Sequence, residues 1–187
     1  TLLATDAMRG YDVAVGGMMV DLLGAPVAGA ELLLELRDPA GATWLTQPVM
    51  SDSNGFFTFS TLVAADVAAG NGSVFADYEG ARFYLANHTS APASFRINGA
   101  SQFGQLNASR DGGMLLRGHA VSFTGILTDE LGNPLNGNVS AQLDMHDLTV
   151  AALGDGSYRA NGTVPAHYRL NHTLTFAWLG DEFHTGA

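Results

Sequence analysis

The chain has 187 residues, no cysteine, and 8 basic residues, all Arg, against 18 Asp and Glu, for a formal net charge of −10. The acidic balance repels phosphate backbones and argues against a nucleic-acid partner, while the absence of Cys removes disulfides, Cys-ligated zinc and thiol catalysis. Glu31, Glu35 and Asp66 interrupt the most apolar stretches, so no membrane span is expected. The start at Thr1 fits either a removed signal segment or a piece of a longer polypeptide.

In chain order, Thr1, Leu2, Leu3, Ala4, Thr5, Asp6, Ala7 and Met8 have the apolar, β-favouring composition of a strand. Leu2, Ala4 and Met8 share a face with Asp6, whereas Thr1, Leu3, Thr5 and Ala7 share the other, and the pattern does not choose between them. The segment from Val13 to Gly29 then recurs from Val121 to Gly137 as V-x-x-x-G-x-x-x-D-x-L-G-x-P-[VL]-x-G. A second pair follows in the same order: Asn71 to Phe83 matches Asn171 to Phe183. Two ordered matches indicate two copies of one unit.

Each unit reads as strands. In Ala30–Leu36, Leu32, Leu34 and Leu36 alternate with Glu31 and Glu35, placing the leucines on one face. Val74, Ala76 and Tyr78 match Leu174, Phe176 and Trp178, which sets the inward phase of a later strand in both copies. Turn signals separate the strands: Gly24-Ala25-Pro26, Asp52-Ser53-Asn54-Gly55, Gly132-Asn133-Pro134 and Gly154-Asp155-Gly156. Thr61–Ala69 alone has helical composition, and Gly70 ends it within about two turns. Ala91, Ala93, Phe95 and Ile97 alternate as a closing strand of the first unit. The second unit stops at His184-Thr185-Gly186-Ala187, where the matching strand is due to begin.

The D-x-x-G-x-P-[VL]-x-G strand end, the later D-x-x-G-x-[FY] and the closing [YW]-x-G-x-x-[FY] resemble the tandem immunoglobulin-like repeats of archaeal and bacterial cell-surface proteins: filament subunits, adhesins and S-layer-associated chains. The resemblance covers nearly the whole sequence and implies an all-β fold of two tandem immunoglobulin-like β-sandwich domains, extracellular and displayed at the cell surface. The expected division is a donor strand at 1–8, a first sandwich at 9–105, a linker at 106–111, and a second sandwich at 112–187 lacking its closing strand. An open sandwich exposes apolar surface and unpaired backbone groups. The reading that follows is head-to-tail assembly of identical copies, with residues 1–8 of one completing the second sandwich of the next by donor-strand complementation. The product is a pilus-like filament. The alternative is an adhesin or surface-layer repeat module of a longer cell-surface protein, with surface glycans as partners.

Six of the ten asparagines open N-x-[ST] sequons: Asn71, Asn87, Asn107, Asn138, Asn161 and Asn171. N-linked glycosylation is expected, and with the absence of Lys it inclines the reading towards an archaeal surface. No nucleophile elbow, metalloprotease helix or phosphate-binding loop occurs, so no catalytic residue is assigned and the chain is not read as an enzyme. The histidines at 88, 119, 146, 167, 172 and 184 lack metal-ligand spacing, and no metal or other cofactor is expected. Asp144-Met145-His146-Asp147 and Asp52-Ser53-Asn54 offer oxygens to calcium, but solvated acidic turns are the favoured reading. Trp44, Trp178, Tyr78, Phe83 and Tyr84 form either a carbohydrate-stacking platform or, for most of them, core.

Overall fold

The computed structural model describes residues 1–81, 84–89, 91–108, 115–167 and 171–187, and they divide into two units, Thr1–Asn98 and Gly99–Ala187. The first unit contains β1 (Leu2–Ala4), β2 (Ala7–Met8), β3 (Asp12–Met18), β4 (Glu31–Arg37), β5 (Thr43–Met50), β6 (Phe56–Leu62), β7 (Gly70–Tyr78), β8 (Asn87–His88) and β9 (Ala93–Asn98). The second contains β10 (Ser101–Ala108), β11 (Ala120–Asp129), β12 (Val139–Leu143), β13 (His146–Asp147), β14 (Thr149–Gly154), β15 (Ser157–Thr163) and β16 (Leu174–Trp178). Among the described residues there is no helix; Thr61 and Leu62 end β6, and the buried Val63 and Val67 turn the chain towards β7.

Each unit is two facing sheets. In the first, β1-β3-β6 covers β2-β9-β7-β4-β5, with β8 also paired to β7. The period-two pattern of β4 places Leu32, Leu34 and Leu36 inside, where they meet Val13 and Val15 of β3, Phe57 of β6, Val74 of β7, and Phe95 and Ile97 of β9. In the second, β10-β11-β15-β14 covers β13-β12-β16, enclosing Val121, Phe123, Leu127, Tyr158, Ala141, Leu143, Phe176 and Trp178. Burying each large apolar side chain contributes about 1.5–3 kcal/mol, so these two clusters hold the units together.

The repeat has a common physical cause in both copies. Oδ1 of Asp21 accepts the backbone N–H groups of Leu23 and Ala25 at 2.9 Å, and Oδ1 of Asp129 accepts those of Leu131 and Asn133 at 2.9 and 2.8 Å. Gly24 and Gly132 follow at φ 83° and 84°, a left-handed conformation that disfavours a side chain. The second motif locks onto the first. Gly55 accepts from the N–H of Met19, and Gly156 from that of Leu127, both at 2.8 Å. A Cβ on either glycine would sit 2.5 Å from the carbonyl oxygen of Met19 or Leu127, so only glycine fits.

Two sequence expectations are corrected. Residues 1–8 are part of the first sandwich: β1 pairs antiparallel with β3, Leu2 facing Gly17 and Ala4 facing Val15, and β2 pairs parallel with β9. Neither uniform phase describes the segment. Leu2 and Ala4 pack on the core, Leu3 is 66% exposed, and the inward set then shifts to Ala7. The shift occurs at Thr5, which exchanges hydrogen bonds with Ala14, and Asp6, whose Oδ1 accepts the N–H of Arg96 at 2.8 Å. One extended segment thereby passes from one sheet to the other.

The boundary also moves. β10 pairs with β11, Ser101 facing Asp129 and Ala108 facing Phe123, so the end of the expected first domain, 101–105, and the start of the expected linker, 106–108, form an edge of the second. The rest of that linker, 109–111, lies outside the described residues. In the second unit Trp178 and Ala187 exchange both backbone hydrogen bonds, at 2.7 and 2.9 Å, where Tyr78 faces Asn87 in the first. Gly99 pairs in parallel with His184. Among the described residues of the second unit, no strand occupies the place of β9.

Candidate functional site

The six sequon asparagines all have exposed side chains or backbones at the surface of their units. Asn71 lies within β7 and not ahead of it, because pairing with Arg96 of β9 extends that strand to Gly70. Asn87 is in β8, Asn107 in β10 and Asn161 in β15, while Asn138 and Asn171 precede strands. Asn107 Nδ2 donates to the carbonyl of Gln105 at 3.1 Å, and Gln105 itself has φ 49°, which bulges β10.

The proposed aromatic platform does not form. Tyr78 and Trp178 are core residues of different units, Trp44 is partly buried against the first core, and Phe83 lies outside the described residues. Tyr84 is 40% exposed. The acidic turn at Asp52 is equally self-contained, since its Oδ1 accepts the N–H groups of Asn54 and Phe56 at 2.8 and 2.9 Å. The most exposed apolar residues of the first unit, Leu22 and Leu23, ride on the turn held by Asp21.

The histidines are not all scattered. The β12–β16 pairing sets Leu143 opposite Leu174, which brings the turn after β12 against the segment before β16. Asp144 and Met145 have φ values of 50° and 66°, the two left-handed residues of a tight hairpin into β13. Asp144 is buried, with its side chain 1% exposed, and its backbone N–H donates to the Thr173 carbonyl at 2.8 Å. Its Oδ1 accepts the N–H of Thr173 at 2.8 Å, and its Oδ2 meets Nδ1 of His172. Nε2 of His167, buried although its ring is half-exposed, lies 3.3 Å from the same Oδ2. His146 stands alongside, its Nδ1 3.1 Å from the Asp144 carbonyl and its ring centroid 5.8 Å from that of His167.

The electrostatics favour an ionised Asp144. The Thr173 N–H, then the His172 ring, hold its carboxyl down at about 2, below the ordinary 3.8. One donor atom from each of Asp144, His167 and His172 lies within 4.8 Å of the other two. His167 and His172 stand at an H-x4-H spacing that metal-binding histidines use, which corrects the expectation of none, while Asp144 joins them only through the β12–β16 register. The other described histidine contacts are local: His88 meets Asp77 and stacks on Phe75, and His184 meets Asp181.

No protein-family model and no curated protein matches the chain. Among solved structures it is similar to invasin, a bacterial integrin-binding protein, at 21% identity over 94% of this chain and 35% of that one, with a TM-score of 0.40. It is also similar to a tetra-tandem repeat in the extending region of a large adhesion protein, at 15% identity over 94% and 44% of the two chains, with a TM-score of 0.43. Trypsin-activated α2-macroglobulin from Escherichia coli matches at 16% identity over 94% of this chain and 14% of that one, with a TM-score of 0.41. The chain spans less than half the length of each of these proteins. Likenesses at this level carry no argument about what this chain binds.

Proposed function

We propose that the chain is a repeat module of a longer cell-surface protein, of the adhesin or surface-layer kind, whose role is mechanical and not catalytic. Two immunoglobulin-like sandwiches space or present a binding surface outside the cell, and N-glycans cover their flanks. The observation that carries this reading is the construction of the same sandwich twice in tandem. In both, an aspartate carboxylate and paired glycines hold the turn scaffold. The exposure of all six sequons supports the glycan coat. The filament reading loses the support it drew from residues 1–8, because these already pair with β3 and β9 of their own unit. Light scattering and negative-stain microscopy of the purified chain test the proposal. Dispersed particles of a single 19.5 kDa chain plus glycan are the expected result. Uniform fibres that resist dilution would overturn it in favour of a self-assembling subunit.

A further inference from the structure

We propose that Asp144, His167 and His172 form a binding site for a zinc-type divalent transition metal in the second sandwich, with His146 beside its open position. This goes beyond the surface-module reading and does not depend on it. The donor set selects the ion. Two imidazole nitrogens and one carboxylate oxygen suit Zn²⁺ and its neighbours in the first transition row, whereas Ca²⁺ requires six to eight oxygens and Mg²⁺ an octahedral oxygen shell.

Geometry supports the same ion. The three donor atoms fall within 4.8 Å of one another, and tetrahedral zinc with bonds of about 2.0–2.1 Å sets its ligand atoms about 3.4 Å apart, close to the 3.3 Å between His167 Nε2 and Asp144 Oδ2. The ion would replace the proton in the contact between Asp144 and His172, which widens to admit it, while the half-exposed His167, beside partners at 1% and 11% side-chain exposure, has room to rotate towards it. A second observation separates a ligand site from a hydrogen-bonded turn. A carboxylate serving only the turn is satisfied by Thr173 and His172, yet Nε2 of His167 also faces its Oδ2 at 3.3 Å, so two imidazole nitrogens converge on one buried carboxylate oxygen. Two nitrogens and one oxygen aimed at a common point are the arrangement a divalent cation completes. The carboxylate's contact with the Thr173 N–H also provides the outer support that fixes a ligand's orientation.

Bound metal would tie the β12–β13 turn to the segment preceding β16, and binding to the folded unit alone would stabilise it by mass action. The test uses the whole chain, stripped with chelator, and Zn²⁺ as the sole probe. Equilibrium dialysis should find one tightly held Zn²⁺ per chain at micromolar metal. The thermal midpoint should rise by several degrees, and EDTA should reverse both effects. Ca²⁺ should produce neither. His167→Ala, at the most exposed ligand, should still fold with a cooperative metal-free transition and weaken Zn²⁺ binding at least about tenfold. His119→Ala, on an exposed residue outside the cluster, should bind as the parent does. The proposal fails if the folded parent takes up no Zn²⁺ at micromolar metal, if His167→Ala binds as tightly as the parent, or if Ca²⁺ gives the same shift.

Discussion

Residue by residue, the two copies solve one problem in different ways. The glycine that ends the turn motif presents a backbone N–H that must be satisfied. In the first unit Gly29 donates to the carbonyl of Ser51 at 3.0 Å. In the second, Gly137 donates to the hydroxyl of Tyr158 at 2.8 Å, and that hydroxyl donates back to the Gly137 carbonyl at 3.1 Å. The aromatic position two residues after Gly55 or Gly156 is therefore only packing in the first unit, at Phe57, and packing plus a two-way bond in the second, at Tyr158, where Leu153 stands in the place of Asp52. Tyr158→Phe should destabilise the second unit by about 1–3 kcal/mol, because it leaves polar groups of Gly137 without their partner. Phe57→Tyr should give no gain. Urea unfolding midpoints of the two variants check both statements.

Strands and their exposed faces carry the next set of consequences. On the outer face of β4, Arg37 donates to both oxygens of Glu35 at 3.0 and 2.9 Å and lies over the Phe75 ring, 4.4 Å from its centroid. Arg37, followed by the Thr43 hydroxyl, holds the Glu35 carboxyl below its ordinary 4.5. A carboxyl depressed on folding contributes stability that is complete above pH 4.5 and is lost as pH falls through the lower folded-state value. The electrostatic part of the cost of Arg37→Gln should thus be present at neutral pH and fade below pH 4.5, as urea titrations across that range would reveal. At the other edge, deleting residues 1–8 removes β1, β2 and the buried Ala7. The first unit should unfold at lower urea while the particle size of the folded chain stays the same.

The sequence made β4, β7, β9 and β16 legible because one face of each is apolar at strict period two, and the turns legible because their Asp, Gly and Pro positions recur. The first strand was not, since the phase shift at Thr5 and Asp6 cancels the alternation that marks a strand. The edge strand β10 was attached to the wrong unit because its pairing with β11 is interrupted between Gly104 and Asn107. The Asp144 cluster was half visible: His167 and His172 stand at an H-x4-H spacing, but the carboxylate that joins them arrives through tertiary register, which leaves no periodic trace.

For the whole molecule, a charge of −10 on 187 residues and six exposed sequon asparagines describe a polar surface with room for N-linked sugars. Secretion from a host that N-glycosylates should give an intact mass above 19.5 kDa, and enzymatic removal of the glycans should return it to that value. An unmodified mass from such a host would exclude the coat.

The carboxylate of Asp21 grips its turn through main-chain amides alone, so Leu22 and Leu23, 103% and 93% exposed, have no structural duty in the bead beneath them. Such a loop is a mounting bracket. Whatever it displays can be exchanged by drift or by grafting without retuning the fold, which lets one lineage of beads acquire new surfaces at little risk to its own integrity.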